Sequence, residues 1–424
     1  MGELMRAAQH RVQIDWDFRG KDTRAMSHCF HDYPARMIPQ IASKLLEFFG
    51  SSAKKLFDPY CGTGTSLVEA QLRGIDAAGS DLNPLARLIA KVKTTPIRQQ
   101  ILDLYLKDFS EFAFKARFEG EPSVLPVPNF KNIEFWFQPE VIRKLTYLKK
   151  YIWQIDNDDV RDFFKIAYSE TARESSLTRN AEFKLFRMTE KQMSSFNPDV
   201  YGIIENKLSR NRKGMLAYLA AIKDSPRKAS VRIFDFNTVE GIPETFARPD
   251  FDLIITSPPY GDSRTTVAYG QYSRLSSQWL DLEEPNLVDK KLMGGQSNGH
   301  IPTFDCKTLD KAIKQISEVD HKRSLEIASF YIDLDKSIHY VSTLIRRGGY
   351  VCYVVGNRRV KGVTLPTDQA IISFFERNKF VYVDTFLRSI PNKRMPSKNS
   401  PTNEPGKLDT TMLNEYIVVL RKQK

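Results

Sequence analysis

A chain of 424 residues, 41% hydrophobic and 27% charged, is long enough to bury a large core and exceeds one minimal domain. That composition excludes fibrous and low-complexity proteins, and no apolar run approaches the roughly 20 residues that cross a bilayer. The 63 basic residues against 51 acidic ones leave a net charge of +12, an excess suited to a polyanion partner, because Lys and Arg placed on phosphates release counterions.

The first residues, Met1-Gly2-Glu3-Leu4-Met5-Arg6, carry neither an apolar signal core nor the Ser/Thr of a myristoylation motif. Cys29, Cys61, Cys306 and Cys352 form no CxxC pair and no even ladder, so a reduced cytoplasmic chain is expected. His28-Cys29-Phe30-His31 has no second ligand pair, which favours a helix-entry segment and no metal. Ile41, Leu45, Phe48 and Phe49 line one helix face before Gly50.

A first strand is expected over Lys55–Asp58, followed by Asp58-Pro59-Tyr60-Cys61-Gly62-Thr63-Gly64-Thr65 and a helix. Glycines there let backbone approach a ligand, and the helix N-terminus adds donors. No Gly-Lys-Ser/Thr follows, so this is not a P-loop, and Leu67 replaces the third glycine of a dinucleotide fingerprint. Asp81 closes a second strand, Ala77–Asp81, where a carboxylate commonly holds a ribose diol. With Asp235 at the end of a third strand, Val231–Phe236, and able to take an adenine amine, the pattern favours a nucleoside cofactor over a bare turn with two caps.

Between the second and third strands the rhythm changes. Ile101, Tyr105, Phe109 and Phe112 recur at helical spacing, as do Ile142, Leu145, Leu148 and Ile152, and then Val160, Phe163, Phe164 and Ala167. The spacing predicts a mainly helical insertion within an α/β chain. A fourth strand, Phe251–Thr256, stops at Ser257-Pro258-Pro259-Tyr260, where two prolines forbid a continued helix or central strand. The Gly-rich Glu283–Asp305 reads as a mobile loop. Further strands are expected at Tyr350–Val355, Phe380–Phe386 and Tyr416–Leu420.

The glycine loop and the tetrapeptide together resemble the amino-group DNA methyltransferases, which take a methyl group from S-adenosylmethionine to cytosine N4 or adenine N6. The resemblance covers about 27–98, 231–282 and 347–421. It implies a Rossmann-like α/β fold with a mostly parallel seven-stranded sheet ending in an antiparallel hairpin. It divides the chain into a cofactor-binding half (1–98), a helical insertion that is a candidate target-recognition region (99–229) and a catalytic half (230–424). It assigns the cofactor to Asp58, Cys61, Gly62, Gly64, Thr65, Asp81, Leu82 and Asp235, with Tyr33, Pro34 and Ala35 in the segment that closes over its methionine end. That segment, His31–Arg36, differs from the family's Phe-x-Gly.

Ser257, Pro258, Pro259 and Tyr260 match the catalytic tetrapeptide. Ser257 Oγ and the Pro258 carbonyl suit an exocyclic amine's hydrogens, and Tyr260 suits stacking on a base that has left the duplex. Cytosine-C5 chemistry needs a Pro-Cys nucleophile, and no cysteine here follows a proline. Ser at the first position is typical of cytosine-N4 enzymes in the family and Asp of adenine-N6 enzymes. Adenine-N6 methylation and RNA amino-methylation remain the rivals; a dinucleotide oxidoreductase leaves the tetrapeptide unexplained.

Double-stranded DNA is the implied partner, with a cognate restriction endonuclease acting separately. Arg358, Arg359 and Lys361 after the fifth strand, Lys393 and Arg394 in the last loop, and Arg173 and Arg179 in the insertion are the candidate DNA contacts.

Overall fold

The computed structural model describes residues 15–122, 124–179, 182, 184–246, 249–262, 268–283, 285–390, 398–399, 409–410 and 412–424. Seven strands form one sheet: β1 (Lys55–Asp58), β2 (Asp76–Ser80), β3 (Val231–Phe234), β4 (Phe251–Thr256), β5 (Ile345–Val355), β6 (Phe380–Ser389) and β7 (Asn414–Lys422). Their order is β3-β2-β1-β4-β5-β7-β6, parallel from β3 to β5, with β7 antiparallel to both of its neighbours. This is the expected Rossmann-like sheet, with its antiparallel hairpin at one end.

Both sheet faces are covered, and β4, β5 and β7 accordingly carry continuous apolar stretches at Leu253–Ile255, Val351–Val355 and Ile417–Leu420. Side chains still alternate across the pleat. Val351, Tyr353 and Val355 of β5 face one core with Ile254 and Val418, while Cys352 and Val354 face the other with Leu253, Ile255 and Ile417. The first face is covered by α9 (Lys307–Val319), α10 (His321–Ser342) and α11 (Thr367–Arg377), which contribute Leu309, Ile338 and Phe374. The second is covered by α1 (Pro39–Phe49) and α2 (Thr65–Leu72), through Leu45 and Leu67.

After α3 (Pro84–Thr94) the chain runs through α4 (Gln99–Glu119), α5 (Pro139–Trp153), α6 (Asp158–Glu174) and α7 (Val200–Lys223) before returning to β3; α8 (Tyr269–Trp279) follows β4. Asn83 and Asn157 cap α3 and α6 by accepting from Leu85 N and Val160 N. Helices α4 to α7 share one hydrophobic core with α3 and α8: Phe109, Leu145, Phe164 and Ile204 pack in the same cluster as Leu85, Ile89, Leu275 and Trp279. Two backbone groups of the Gly-rich stretch bond to α10. Gly294 N donates to Asp333 Oδ2 at 2.9 Å and Asn298 N to Ser329 Oγ at 2.8 Å. No helix among the described residues is long and apolar enough to cross a membrane.

Candidate active site

The strand order reverses between β1 and β4, and a ligand of such a sheet sits outside the carboxyl ends of the strands at that point. There the glycine loop leaves β1 and the tetrapeptide leaves β4. They share a cleft of about 950 Å³, solvent at its mouth included.

Its floor is the β1–α2 loop. Gly62 and Gly64 take positive φ (50° and 75°), and Gly64 N donates to Cys61 O at 2.7 Å. A Cβ on Gly64 would lie 2.9 Å from Ala90 Cβ, so this glycine serves the packing of the loop on α3 and does not line the cleft. Cys61 and Thr65 are buried and do line it, and burial pushes the Cys61 thiol well up.

Asp58 is enclosed by donors of its own chain: Ser66 Oγ, Thr256 Oγ1 at 2.5 Å and Tyr60 N at 3.1 Å. It therefore ties the β1 loop to the end of β4. Burial raises its pKa to about 6. Asp81 accepts Gly62 N at 3.0 Å and Asn83 N at 2.8 Å, and burial raises its pKa as well. One contact per oxygen leaves each with capacity for a hydroxyl donor.

Leu82, Phe236, Asn237 and Thr238 also line the cleft, and Asp235 is not among the lining residues. β3 ends at Phe234, two residues before the end of the apolar run, and Asp235 stands 77% exposed, 3.9 Å from Arg87. The expected adenine contact is thus misplaced, and Asn237 occupies the wall instead.

Tyr33, Pro34 and Ala35 form the rim. The Tyr33 ring stacks on Tyr269 at 6.0 Å with planes 17° apart, and its hydroxyl accepts Asn83 Nδ2 at 2.7 Å. Lining residues that escaped sequence reading include Asn83, Asn237, Thr238, Tyr269, Leu292 and Met293. Asn83-Pro84 is a legible helix start; the others carry no local signal.

Ser257 and Pro259 face the cleft, with Pro258 buried behind them. Ser257 Oγ donates to Val354 O at 3.0 Å and lies 3.4 Å from the Tyr260 hydroxyl. Tyr260 in turn donates to Glu415 Oε1 at 2.8 Å, and its ring lines a small hollow with Gly261, Ile327 and Phe330. Asp262, with only 1% of its side chain exposed, is held by Arg323 at 2.8 Å and Arg358 at 3.0 Å.

Two expected DNA contacts are corrected here. Arg358 is committed to Asp262, which needs a cation once buried. Arg173 is buried in α6, donating to Tyr272 O and Glu182 O with its guanidinium 3.9 Å over the Tyr272 ring. Arg359 is exposed and donates to Gly362 O, Lys361 pairs with Asp320 at 3.0 Å, and Arg179 is exposed beside Glu182. Lys393 and Arg394 lie outside the described residues. No cluster of metal-ligating side chains occurs among the described residues.

A cleft at the switch point of this sheet, with a glycine loop, a carboxylate at the end of β2 and a Ser-Pro-Pro-Tyr corner, defines a Rossmann-like methyltransferase. The UPF0020 family model, an RMKL-like methyltransferase domain, matches residues 25–108. The chain is 39% identical over 422 residues to the type II methyltransferase M.MvaI of Kocuria varians, covering 95% of this chain and 93% of that one. It is 32% identical over 174 residues to M.MjaII of Methanocaldococcus jannaschii, 37% of this chain and 31% of that one. Against M.BsoBI of Geobacillus stearothermophilus it is 19% identical over 413 residues, 90% and 75% of the two chains. The chain belongs to the type II methyltransferases, the DNA-modifying enzymes of restriction–modification, and its cofactor is S-adenosylmethionine.

Proposed function

We propose that the chain methylates the N4 amino group of cytosine in a specific sequence of double-stranded DNA, with a cognate endonuclease as a separate protein. The observation that carries this reading is the placement of Ser257 on the cofactor cleft, with its one proton donated to Val354 O. A hydroxyl so oriented keeps lone pairs for a substrate amine.

Bound S-adenosylmethionine supplies an electrophilic methyl on a sulfonium. Asp81 would take the ribose hydroxyls, Leu82 and the 236–238 wall would hold the adenine, and the 33–35 segment would cover the methionine end. The cytosine amine is a weak nucleophile because its lone pair is delocalised into the ring. Ser257 Oγ and the Pro258 carbonyl accept its hydrogens, favour a pyramidal nitrogen and aim the lone pair at the methyl. The prolines hold both acceptors still, so the barrier falls through positioning and fixed dipoles. Tyr260 flanks the extruded base. Arg359, Lys361 and Arg179, with Lys393 and Arg394, reach phosphates, and the 99–229 helices hold the sequence-reading surface.

Tritiated-methyl transfer into duplex DNA followed by nucleoside analysis tests the reading. Label is expected in N4-methylcytosine; label in N6-methyladenine overturns the base assignment. Ser257→Ala is expected to bind cofactor normally and to slow transfer by roughly 10²-fold or more. Full activity in that variant overturns the mechanism.

A further inference from the structure

β7 places Glu415 against the back of the tetrapeptide. Its Oε1 accepts the Tyr260 hydroxyl at 2.8 Å, and its Oε2 pairs with Arg388 Nη1. Arg388 is itself buried, with Nε donating to Trp16 O at 3.0 Å, so the carboxylate has a fixed cation beside it and stays an acceptor. The phenol donates its one proton to Glu415 Oε1, a short charge-assisted bond, and its oxygen accepts the longer contact from Ser257 Oγ at 3.4 Å. Were the proton turned the other way, it would occupy a lone pair that Ser257 needs for the substrate amine.

We propose that Glu415 is a positioning residue that draws the Tyr260 hydroxyl proton away from Ser257 and so keeps Ser257 an acceptor. This rests on Ser257 being the acceptor for the amine. The phenol cannot escape the choice by ionising, since burial first and then Glu415 push its pKa well up.

Glu415→Gln separates this role from simple structure. Arg388 only donates, so the amide oxygen must face it and the NH₂ must face Tyr260. The Tyr260 hydroxyl must then accept, and its proton turns toward Ser257. Methyl transfer is measured for the full chain, Glu415→Gln, Tyr260→Phe and the double variant. Glu415→Gln is expected to lower kcat roughly tenfold or more, short of the ~10²–10³-fold of losing a preorganised group outright, with KM for cofactor and DNA unchanged.

Adding Tyr260→Phe removes the misdirected proton, so the double variant is expected to match Tyr260→Phe alone, a complete recovery rather than the partial coupling that any two contacting residues show. Unchanged kcat in Glu415→Gln, or a penalty that persists in the double variant, overturns the proposal. Should Glu415→Gln fold poorly, Arg388→Lys leaves the carboxylate in place and is expected to keep kcat; a loss there that persists with Tyr260→Phe marks a structural role and overturns it too. A wild-type chain that transfers no methyl to DNA overturns the functional reading instead, and with it the premise of this proposal.

Discussion

Asp81 sits where two backbone donors already converge, Gly62 N and Asn83 N. Truncating it therefore orphans the two N–H groups and, on the proposed function, also removes the acceptors for the cofactor's ribose hydroxyls. An unmade hydrogen bond costs about 1–3 kcal/mol, so a folded Asp81→Ala variant is expected to bind S-adenosylmethionine roughly 10²-fold more weakly. Calorimetric titration checks this, and unchanged affinity would remove Asp81 from the site. Charge alone is a poor guide at this scale. Arg358 and Arg173 look like free cations in sequence, yet one compensates Asp262 and the other staples α6 to α8. Their partners lie 96 and 99 residues away, beyond any local pattern.

The helices between α3 and β3 act on the rim of the cleft. Glu170 of α6 accepts Asp32 N at 2.7 Å and pairs with Arg210 of α7, which also donates to Phe30 O at 2.8 Å. His31 Nε2 meets Ser169 Oγ at 2.9 Å. This clamp holds the segment that ends in Tyr33, Pro34 and Ala35. Glu170→Gln is expected to weaken cofactor binding about tenfold while leaving the sheet intact, measured by titration alongside circular dichroism; the loss of one charged hydrogen bond sets that scale.

The same segment carries an acid sensitivity. Burial is the main cause that lowers His28 and His31 to about 4, against the pull of Glu69 on the first and of Glu170 and Asp32 on the second; Lys93 and Arg36 near His28, and Arg210 near His31, act with burial. Both histidines are neutral in the fold, so the stability they contribute is fully present above the unfolded value of about 6.5 and is lost as pH falls from there toward 4. Asp58, raised to about 6, runs the other way and gains as pH falls through its own window. A falling thermal midpoint between pH 6.5 and 4, flattened in His31→Gln, is the expected result. An identical slope in that variant would assign the sensitivity elsewhere.

For the whole molecule, the +12 charge predicts DNA binding that weakens steeply with ionic strength, at a slope of about −0.9 per phosphate neutralised. Reversing Lys393 and Arg394 is expected to flatten that slope by about 2, and an unchanged slope moves the DNA track away from the last loop. β4 and β5 were legible because burial on both faces demands apolar runs such as Leu253–Ile255 and Val351–Val355. The glycine loop and the Ser-Pro-Pro-Tyr corner were legible because backbone constraint leaves a local trace in Gly and Pro. β5 begins at Ile345, well before the expected Tyr350, because Arg346, Arg347, Gly348 and Gly349 mask its first turns of pleat. Asp235 was misread because one residue past a strand end the pleat no longer dictates direction.

The position of β7 also sets an order of events in time. It is last of the seven strands in sequence but lies inside the sheet, between β5 and β6. Until it is made, β5 and β6 each expose an unpaired edge, the kind of surface that recruits other chains. From Val355 to Asn414 a ribosome needs on the order of several seconds at about 5–20 residues per second. The Glu415–Tyr260 contact arrives with that same strand. A nascent chain can thus shape its cofactor loop early, yet its tetrapeptide lacks its final support until β7 has been made.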